Sequence, residues 1–185
     1  YLVADTSGSM DGEKLDKAKE ALLSFVQQVI SDNDRLALVS FSSSVYEEVQ
    51  LGALAETREQ IVEAVNAMEA GGNTALYDDI FYSAQRLSEQ RVPDRINAVL
   101  VMTAGRENAS RLYARASRDP ESLIDALEGL KEETGVPVLV FAVAYGEDAD
   151  LAVLQRISDS TQAQAYEGNP QTIRKLYQLL SAYFN

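Results

Sequence analysis

Asp5-Thr6-Ser7-Gly8-Ser9 places a carboxylate and two hydroxyls on alternate residues, directly after the apolar run Tyr1 to Ala4. Buried polar groups cost free energy unless they are paired. Oxygens at the end of an interior strand therefore either hydrogen-bond to their own loop or hold a ligand. The chain has no Cys and no His. That removes thiolates, the commonest general base and the commonest transition-metal ligand together. Oxygen donors remain, and these suit hard cations such as Mg²⁺.

The elements around this loop alternate in a regular way. Tyr1 to Ala4 is a short strand. From Glu13 to about Ile30, Leu15, Ala18, Leu22, Phe25, Val26, Val29 and Ile30 recur at three and four, the pattern of a one-sided helix. Asp34 to Phe41 and Val45 to Leu51 are two strands across a Ser-rich turn, hence a hairpin. Thr57 to Met68 is helical with Thr57 as cap, Gly71-Gly72 ends it, and Asn73-Thr74 opens a second helix, Ala75 to about Leu87. Ile96 to Thr103 is apolar throughout, as a strand covered on both faces should be. Beyond it come a helix from Pro120 to Lys131 capped by Asp119, a buried strand Val138 to Ala144, a helix Asp150 to Ile157, a strand Ala163 to Tyr166 and a closing helix Pro170 to Tyr183.

This order predicts one α/β domain over residues 1–185: an open, doubly wound, mostly parallel six-stranded sheet with one antiparallel edge strand and helices on both faces. Such sheets bind ligands beyond the carboxyl ends of their strands. The Asp5 loop, Gly105 after the Ile96 strand, and Asn73-Thr74 at a helix start all converge on that end.

Those residues carry a resemblance. Asp5-Thr6-Ser7-Gly8-Ser9-Met10, then Gly71-Gly72-Asn73-Thr74-Ala75-Leu76-Tyr77-Asp78-Asp79-Ile80, then Val99-Leu100-Val101-Met102-Thr103-Ala104-Gly105 resemble, in order and spacing, a von Willebrand factor A domain with a metal-ion-dependent adhesion site. The resemblance implies the Rossmann-like fold of that family. It implies that Ser7, Ser9 and Thr74 bind Mg²⁺ (or Mn²⁺ or Ca²⁺) through hydroxyls, with Asp5 acting through water. It also implies a non-enzymatic adhesion module whose metal takes an Asp or Glu from a protein partner. One position departs: where the family has Thr-Asp-Gly, this chain has Thr103-Ala104-Gly105, so a carboxylate is missing. Loss of an anion beside a divalent cation weakens its binding, and the expectation is a low-affinity or vacant site. Glu107 is near enough in sequence to substitute through water.

Composition narrows the partners. A formal charge of −13 and 29 acidic residues against 16 basic ones repel nucleic acid and anionic membranes. The longest apolar run, Val136 to Ala144, falls short of the ~20 residues of a membrane helix, so no membrane insertion by this domain is expected. The chain starts without Met and in mid-strand, like a piece of a longer or processed protein. The family resemblance favours a secreted or membrane-tethered parent.

Local alternatives exist for each motif. The Asp5 loop is also a turn whose side chains cap backbone amides, Thr74 is also a helix cap, and Asp78 and Asp79 read as solvated or capping groups. An EF-hand spacing through Asp5, Ser7, Ser9 and Asp16 fails because Met10 stands where Gly is required and a strand precedes the loop. No G-x-G-x-x-G follows the first strand, which excludes a dinucleotide site. The segment 106–118 gathers Arg106, Arg111, Arg115 and Arg118 with Tyr113. It is either a solvated loop or a partner-recognition patch built on Arg106, Arg111, Tyr113 and Arg115. In the second case the domain is a metal-independent structural or regulatory interaction module.

Overall fold

The strands alternate their side chains between two hydrophobic layers, and that alternation fixes the architecture. In the computed structural model, which describes residues 1–28, 34–90, 92, 94–111 and 120–181, six strands form one sheet: β1 (Leu2–Asp5), β2 (Arg35–Phe41), β3 (Val45–Ala53), β4 (Asn97–Thr103), β5 (Val138–Tyr145) and β6 (Ala165–Gly168). Their order is β3-β2-β1-β4-β5-β6, with every pairing parallel except β2 with β3. Six helices flank the sheet among the described residues: α1 (Glu13–Gln28), α2 (Leu54–Ala67), α3 (Leu76–Glu89), α4 (Glu121–Thr134), α5 (Leu151–Ser160) and α6 (Ile173–Ser181).

Leu2, Ala4, Leu38, Leu100, Met102, Phe141 and Val143 point to one face, against α1, α2 and α6. Val3, Val39, Val99, Val101, Val140 and Ala142 point to the other, against α3, α4 and α5. Burying one such side chain stabilises the fold by roughly 1.5–3 kcal/mol. Burial on both faces explains why β4 and β5 are almost continuously apolar.

From β1 the chain passes to β2 on one side, while the other neighbour of β1 is β4. The sheet therefore changes direction between β1 and β4, and a crevice opens at their carboxyl ends. Asp5 ends β1 and Thr103 ends β4.

Several element boundaries differ from the sequence expectation: β6 runs Ala165–Gly168 where the sequence pattern predicts Ala163 to Tyr166, and α6 starts at Ile173 where it predicts Pro170. Helix α2 starts at Leu54, directly out of β3, because the Leu54 N–H donates to the Asp34 carbonyl and the residues that follow favour helix. Thr57 therefore lies inside the helix, its hydroxyl bonded back to the Ala53 carbonyl at 3.3 Å, and is not a cap. Helix α4 takes Pro120 at its cap position. The expected Asp119 cap lies outside the described residues, as do Val29 and Ile30.

Candidate functional site

Asp5 joins the two strands at the crevice. It is fully buried; its Oδ1 accepts the Ser7 N–H at 2.7 Å, and its Oδ2 accepts the Thr103 hydroxyl at 2.7 Å and the Ala104 N–H at 3.0 Å. The loop after β1 is thus turned by its own carboxylate and tied to the end of β4. Among the described residues the Ser7 and Ser9 hydroxyls cap no backbone amide; they lie 2.9 Å from each other.

Thr74 reaches this loop through a backbone staple. The Gly8 N–H donates to the Gly72 carbonyl at 3.0 Å and the Gly71 N–H to the Thr6 carbonyl at 2.8 Å. Gly72 has φ +81° and faces Ser42 and Ser43 so closely that a Cβ there would stand 2.9 Å from the Ser43 hydroxyl. Only glycine suits that turn.

Gly105 closes the arrangement. A Cβ on it would stand 2.8 Å from Thr74 Oγ1 and 3.1 Å from Ser9 Oγ. Hydroxyls from two distant segments thus lie around one point above the end of β4.

Thr74 is not the cap of the helix that follows it. The cap position of α3 is Ala75, which makes no side-chain cap bond. The first amides of α3 are taken instead by the 107–110 loop. Tyr77 N–H donates to Glu107 Oε2 at 2.9 Å and to Ser110 Oγ at 3.0 Å, and Asp78 N–H donates to Ser110 Oγ at 3.0 Å. Asn108 clamps the Thr74 backbone, accepting its N–H at 2.8 Å and donating its own N–H to the Thr74 carbonyl. The Thr74 side chain, 3% exposed, is left with no hydrogen-bond partner among the described residues.

Glu107 is therefore a structural group. Its two oxygens also accept the Ala109 and Ser110 N–H groups and the Ser110 hydroxyl at 2.7–2.9 Å. With its lone pairs spent on its own loop and on the start of α3, it is not the water-mediated substitute for the missing aspartate. Asp78 likewise serves the loop, accepting the Arg111 N–H at 2.7 Å.

Ser7, Ser9, Thr74 and Gly105 line an open cleft of about 370 Å³, rimmed by Arg106, Glu147 and Asp148. All three rim residues are exposed, and no described group pairs with them. Glu147 and Asp148 were not among the candidate residues of the sequence. Their signal was their position just past β5, a strand whose carboxyl end borders the same crevice. Arg111 is exposed at the edge of the loop, whereas Tyr113, Arg115 and Arg118 lie outside the described residues. A more apolar cavity, lined by Tyr1, Leu36, Leu87, Ile96 and Leu100, sits at the opposite end of the strands.

Ala104 is fully buried, with its backbone held by Asp5 and a methyl group in place of a carboxylate. Asp79 departs from the solvated role expected of it. It is completely buried, and neither of its oxygens has a hydrogen-bond partner among the described residues. Burial, and then the nearby charges of Asp5 and Asp78, push its carboxyl well above the usual carboxylate range.

The donor set suits a hard divalent cation. Neutral hydroxyls at short mutual distance, one of them unpartnered in a buried side chain, match the oxygen preference of Mg²⁺, and the glycine cradle keeps the space between them clear. Ser7, Ser9 and Thr74 are the residues that could hold such an ion directly. Asp5, whose oxygens are already engaged, could act only through its remaining lone pairs.

Residues 1–178 match the sequence model of the von Willebrand factor type A domain, and the chain belongs to that family. Human inter-alpha-trypsin inhibitor heavy chain H3 is 31% identical over 134 residues, covering 69% of this chain and 15% of that protein. The uncharacterized protein sll0103 of Synechocystis is 26% identical over 190 residues, covering 97% of this chain and 41% of that one. The chain thus spans less than half the length of these curated relatives. Among solved structures, a von Willebrand factor type A protein from Catenulispora acidiphila superposes with a TM-score of 0.80 at 23% identity, covering 98% of this chain and 41% of that one. The vWF domain of the type V pili tip protein Mfa5 from Porphyromonas gingivalis gives 0.62 at 12% identity, covering 100% and 95%. These likenesses establish the fold. Members of the family typically serve as protein-interaction or adhesion modules.

Proposed function

We propose that this domain is a non-enzymatic protein-binding module that engages an Asp or Glu of its partner through a divalent cation held by Ser7, Ser9 and Thr74, with Asp5 supporting through water. The observation that carries this reading is the pair of hydroxyls, Thr74 Oγ1 and Ser9 Oγ, within 3.1 Å of one point beside Gly105. When bound, the cation supplies a coordination position that a partner carboxylate can fill. The hydroxyls leave most of its charge unneutralised, which favours an anionic ligand. Ala104 lowers the affinity by removing one carboxylate from the surroundings.

The test is a thermal-shift titration with Mg²⁺, Mn²⁺ and EDTA on the wild type, Ser9→Ala and Ala104→Asp. The reading expects a weak divalent-dependent rise in the wild type, none in Ser9→Ala and a stronger one in Ala104→Asp. A folded Ala104→Asp protein that ignores divalent ions overturns it.

Arg106 supports a second reading. Its guanidinium stands on the cleft rim with no described partner and could bind a carboxylate without metal. In that case Arg106→Ala abolishes partner binding, while EDTA and Ser9→Ala leave it intact.

A further inference from the structure

The turn between β5 and α5 carries charges of the wrong sign for an acidic ligand. Glu147 and Asp148 line the cleft together with Ser7, Ser9 and Thr74, and both are exposed, with no ion pair or hydrogen bond among the described residues. Asp150, just beyond them, accepts the Val153 N–H at 3.1 Å and lines a second cavity of about 160 Å³, which shares Gly105 and Arg106 with the cleft. Two fixed cations stand near these carboxylates. Arg106 lines both cavities, and the Lys14 ammonium, from the first turn of α1, lies 3.2 Å from where a Cβ on Gly146 would stand. Neither makes an ion pair among the described residues, so three carboxylates face the two cavities without a partner for their charge.

A buried group marks the same cleft as a place for a ligand. The Thr74 side chain, 3% exposed, has no hydrogen-bond partner among the described residues, and its oxygen lies 2.8 Å from where a Cβ would stand on Gly105, the residue common to both cavities. Distance separates the duties of the hydroxyls from those of the carboxylates. β4 lies between β1 and β5, and neighbouring strands are about 4.8 Å apart, so the β5 turn begins about 10 Å from the β1 loop that bears Ser7 and Ser9. The oxygens that coordinate Mg²⁺ stand at about 2.0–2.1 Å from it. An extended chain advances about 3.3–3.6 Å per residue, so the separation is the span of about three residues of a bound segment. Glu147 and Asp148 are thus set for a neighbour of the coordinating residue rather than for the ion.

We propose, resting on the metal reading above, that Glu147 and Asp148 determine which partners the cleft accepts: a segment whose Asp or Glu reaches the ion is taken when a Lys or Arg stands within about three residues of it. The basic side chain meets the two rim carboxylates. A segment without one brings its negative charge against theirs and is rejected, so specificity comes from that repulsion as much as from the new pair. Because the rim is solvated, the preference is modest in size and weakens with salt.

The experiment sorts phage-displayed peptides on the immobilised protein in Mn²⁺. One library has a fixed Asp with about three random positions on either side, and its control has Asn in place of that Asp. The domain carries either Glu147→Gln with Asp148→Asn, or Glu132→Gln with Glu133→Gln. The second pair is exposed at the carboxyl end of α4, ahead of β5 and so at the far end of the strands, and it changes the net charge equally. Each is made in the wild type and in Ala104→Asp, so that a weak ion site does not hide the result, and circular dichroism confirms the fold. The expected outcome is enrichment of Lys and Arg beside Asp by about threefold or more on the parent proteins, fading as NaCl is raised. The enrichment should disappear in the Glu147 and Asp148 variant, which still prefers Asp to Asn, and persist in the Glu132 and Glu133 variant. Flanks without enrichment on the parents overturn the proposal, as does enrichment that survives the loss of Glu147 and Asp148. Equal loss in the Glu132 and Glu133 variant makes the preference an effect of net charge and overturns it too. A Glu147 and Asp148 variant that no longer prefers Asp to Asn assigns the two carboxylates to the ion and refutes their role in selection. If neither parent prefers Asp in Mn²⁺, or if the preference survives EDTA and Ser9→Ala, the metal reading has failed and this proposal falls with it.

Discussion

The Thr74 hydroxyl stands 2.8 Å from the point where a side chain on Gly105 would begin, closer than a real Cβ contact allows. The backbone of Gly105 is not left-handed, so alanine is excluded by space alone. Gly105→Ala must push Thr74 Oγ1 and Ser9 Oγ apart. The expected outcome is a folded protein, destabilised by about 1–3 kcal/mol, that has lost its Mn²⁺-dependent rise in melting temperature. A retained rise would mean that the hydroxyls around Gly105 are not the ion's ligands.

Glu107 ties a loop to a helix start across thirty residues, and its removal has two effects. It takes the acceptor from the Ser110 amide and one of two acceptors from each of the Tyr77 and Ala109 amides, and it releases the loop that clamps the Thr74 backbone. Hydrogen bonds to a charged acceptor are worth about 1.5–3 kcal/mol each, though not additively. Glu107→Ala is expected to lower stability in urea by about 2–4 kcal/mol, with a fall of roughly 5–12 °C in melting temperature for a domain of this size. Glu107→Gln, which keeps one acceptor oxygen, should lose about half as much.

These two cases also show what the sequence could reveal. The apolar runs of β4 and β5, the hairpin of β2 and β3 and the three-and-four spacing of α1 were legible because burial on one or two faces imposes a period on the residues themselves. The meeting of Ser7, Ser9 and Thr74 was legible from strand order and from the motif. The role of Glu107 was not, because a capping bond made across thirty residues leaves no local pattern. Asp79 was misread for a related reason: in the first turn of a helix, a solvated carboxylate and an entombed one look alike until the packing of α3 on the sheet is known. The start of α2 was hidden because β3 runs into it without a turn residue, and Thr57, a good cap by type, drew the boundary three residues late.

Asp79 gives stability a pH dependence whose sign follows from its burial. Its folded carboxyl is held protonated well above the usual range, while in the unfolded chain it ionises near the ordinary value of about 3.9. Below that value both states carry the proton, and no penalty exists. As pH rises, ionisation stabilises the unfolded chain alone, and the folded state loses up to about 1.4 kcal/mol per pH unit until its own carboxyl ionises. Asp79→Asn, neutral in both states, escapes this loss. In EDTA, the variant and the wild type should melt within about 2 °C of each other at pH 4, and the variant should melt higher at pH 7. A constant difference across that range would mean that Asp79 is ionised in the folded protein.

Tyr177 offers a prediction on the opposite side of the sheet. Its ring meets Phe25 edge to face, with centroids 5.7 Å apart and planes at 89°, fixing α6 on α1. Its hydroxyl is completely buried and has no described partner, and burial, with Tyr145 nearby, drives its ionisation further into the alkaline range. Tyr177→Phe keeps the ring contact and removes the unpaired oxygen. Desolvating an unsatisfied hydroxyl costs about 1–3 kcal/mol, so the variant should be more stable by roughly 1 kcal/mol or more, seen as a rise of about 2–4 °C in melting temperature. Tyr177→Ala should be destabilised by about 3–5 kcal/mol, since it removes the ring that holds the two helices together. A Tyr177→Phe protein less stable than the wild type would show that the hydroxyl is bonded in solution, and that α6 is held to the domain by a polar tie as well as by its apolar face.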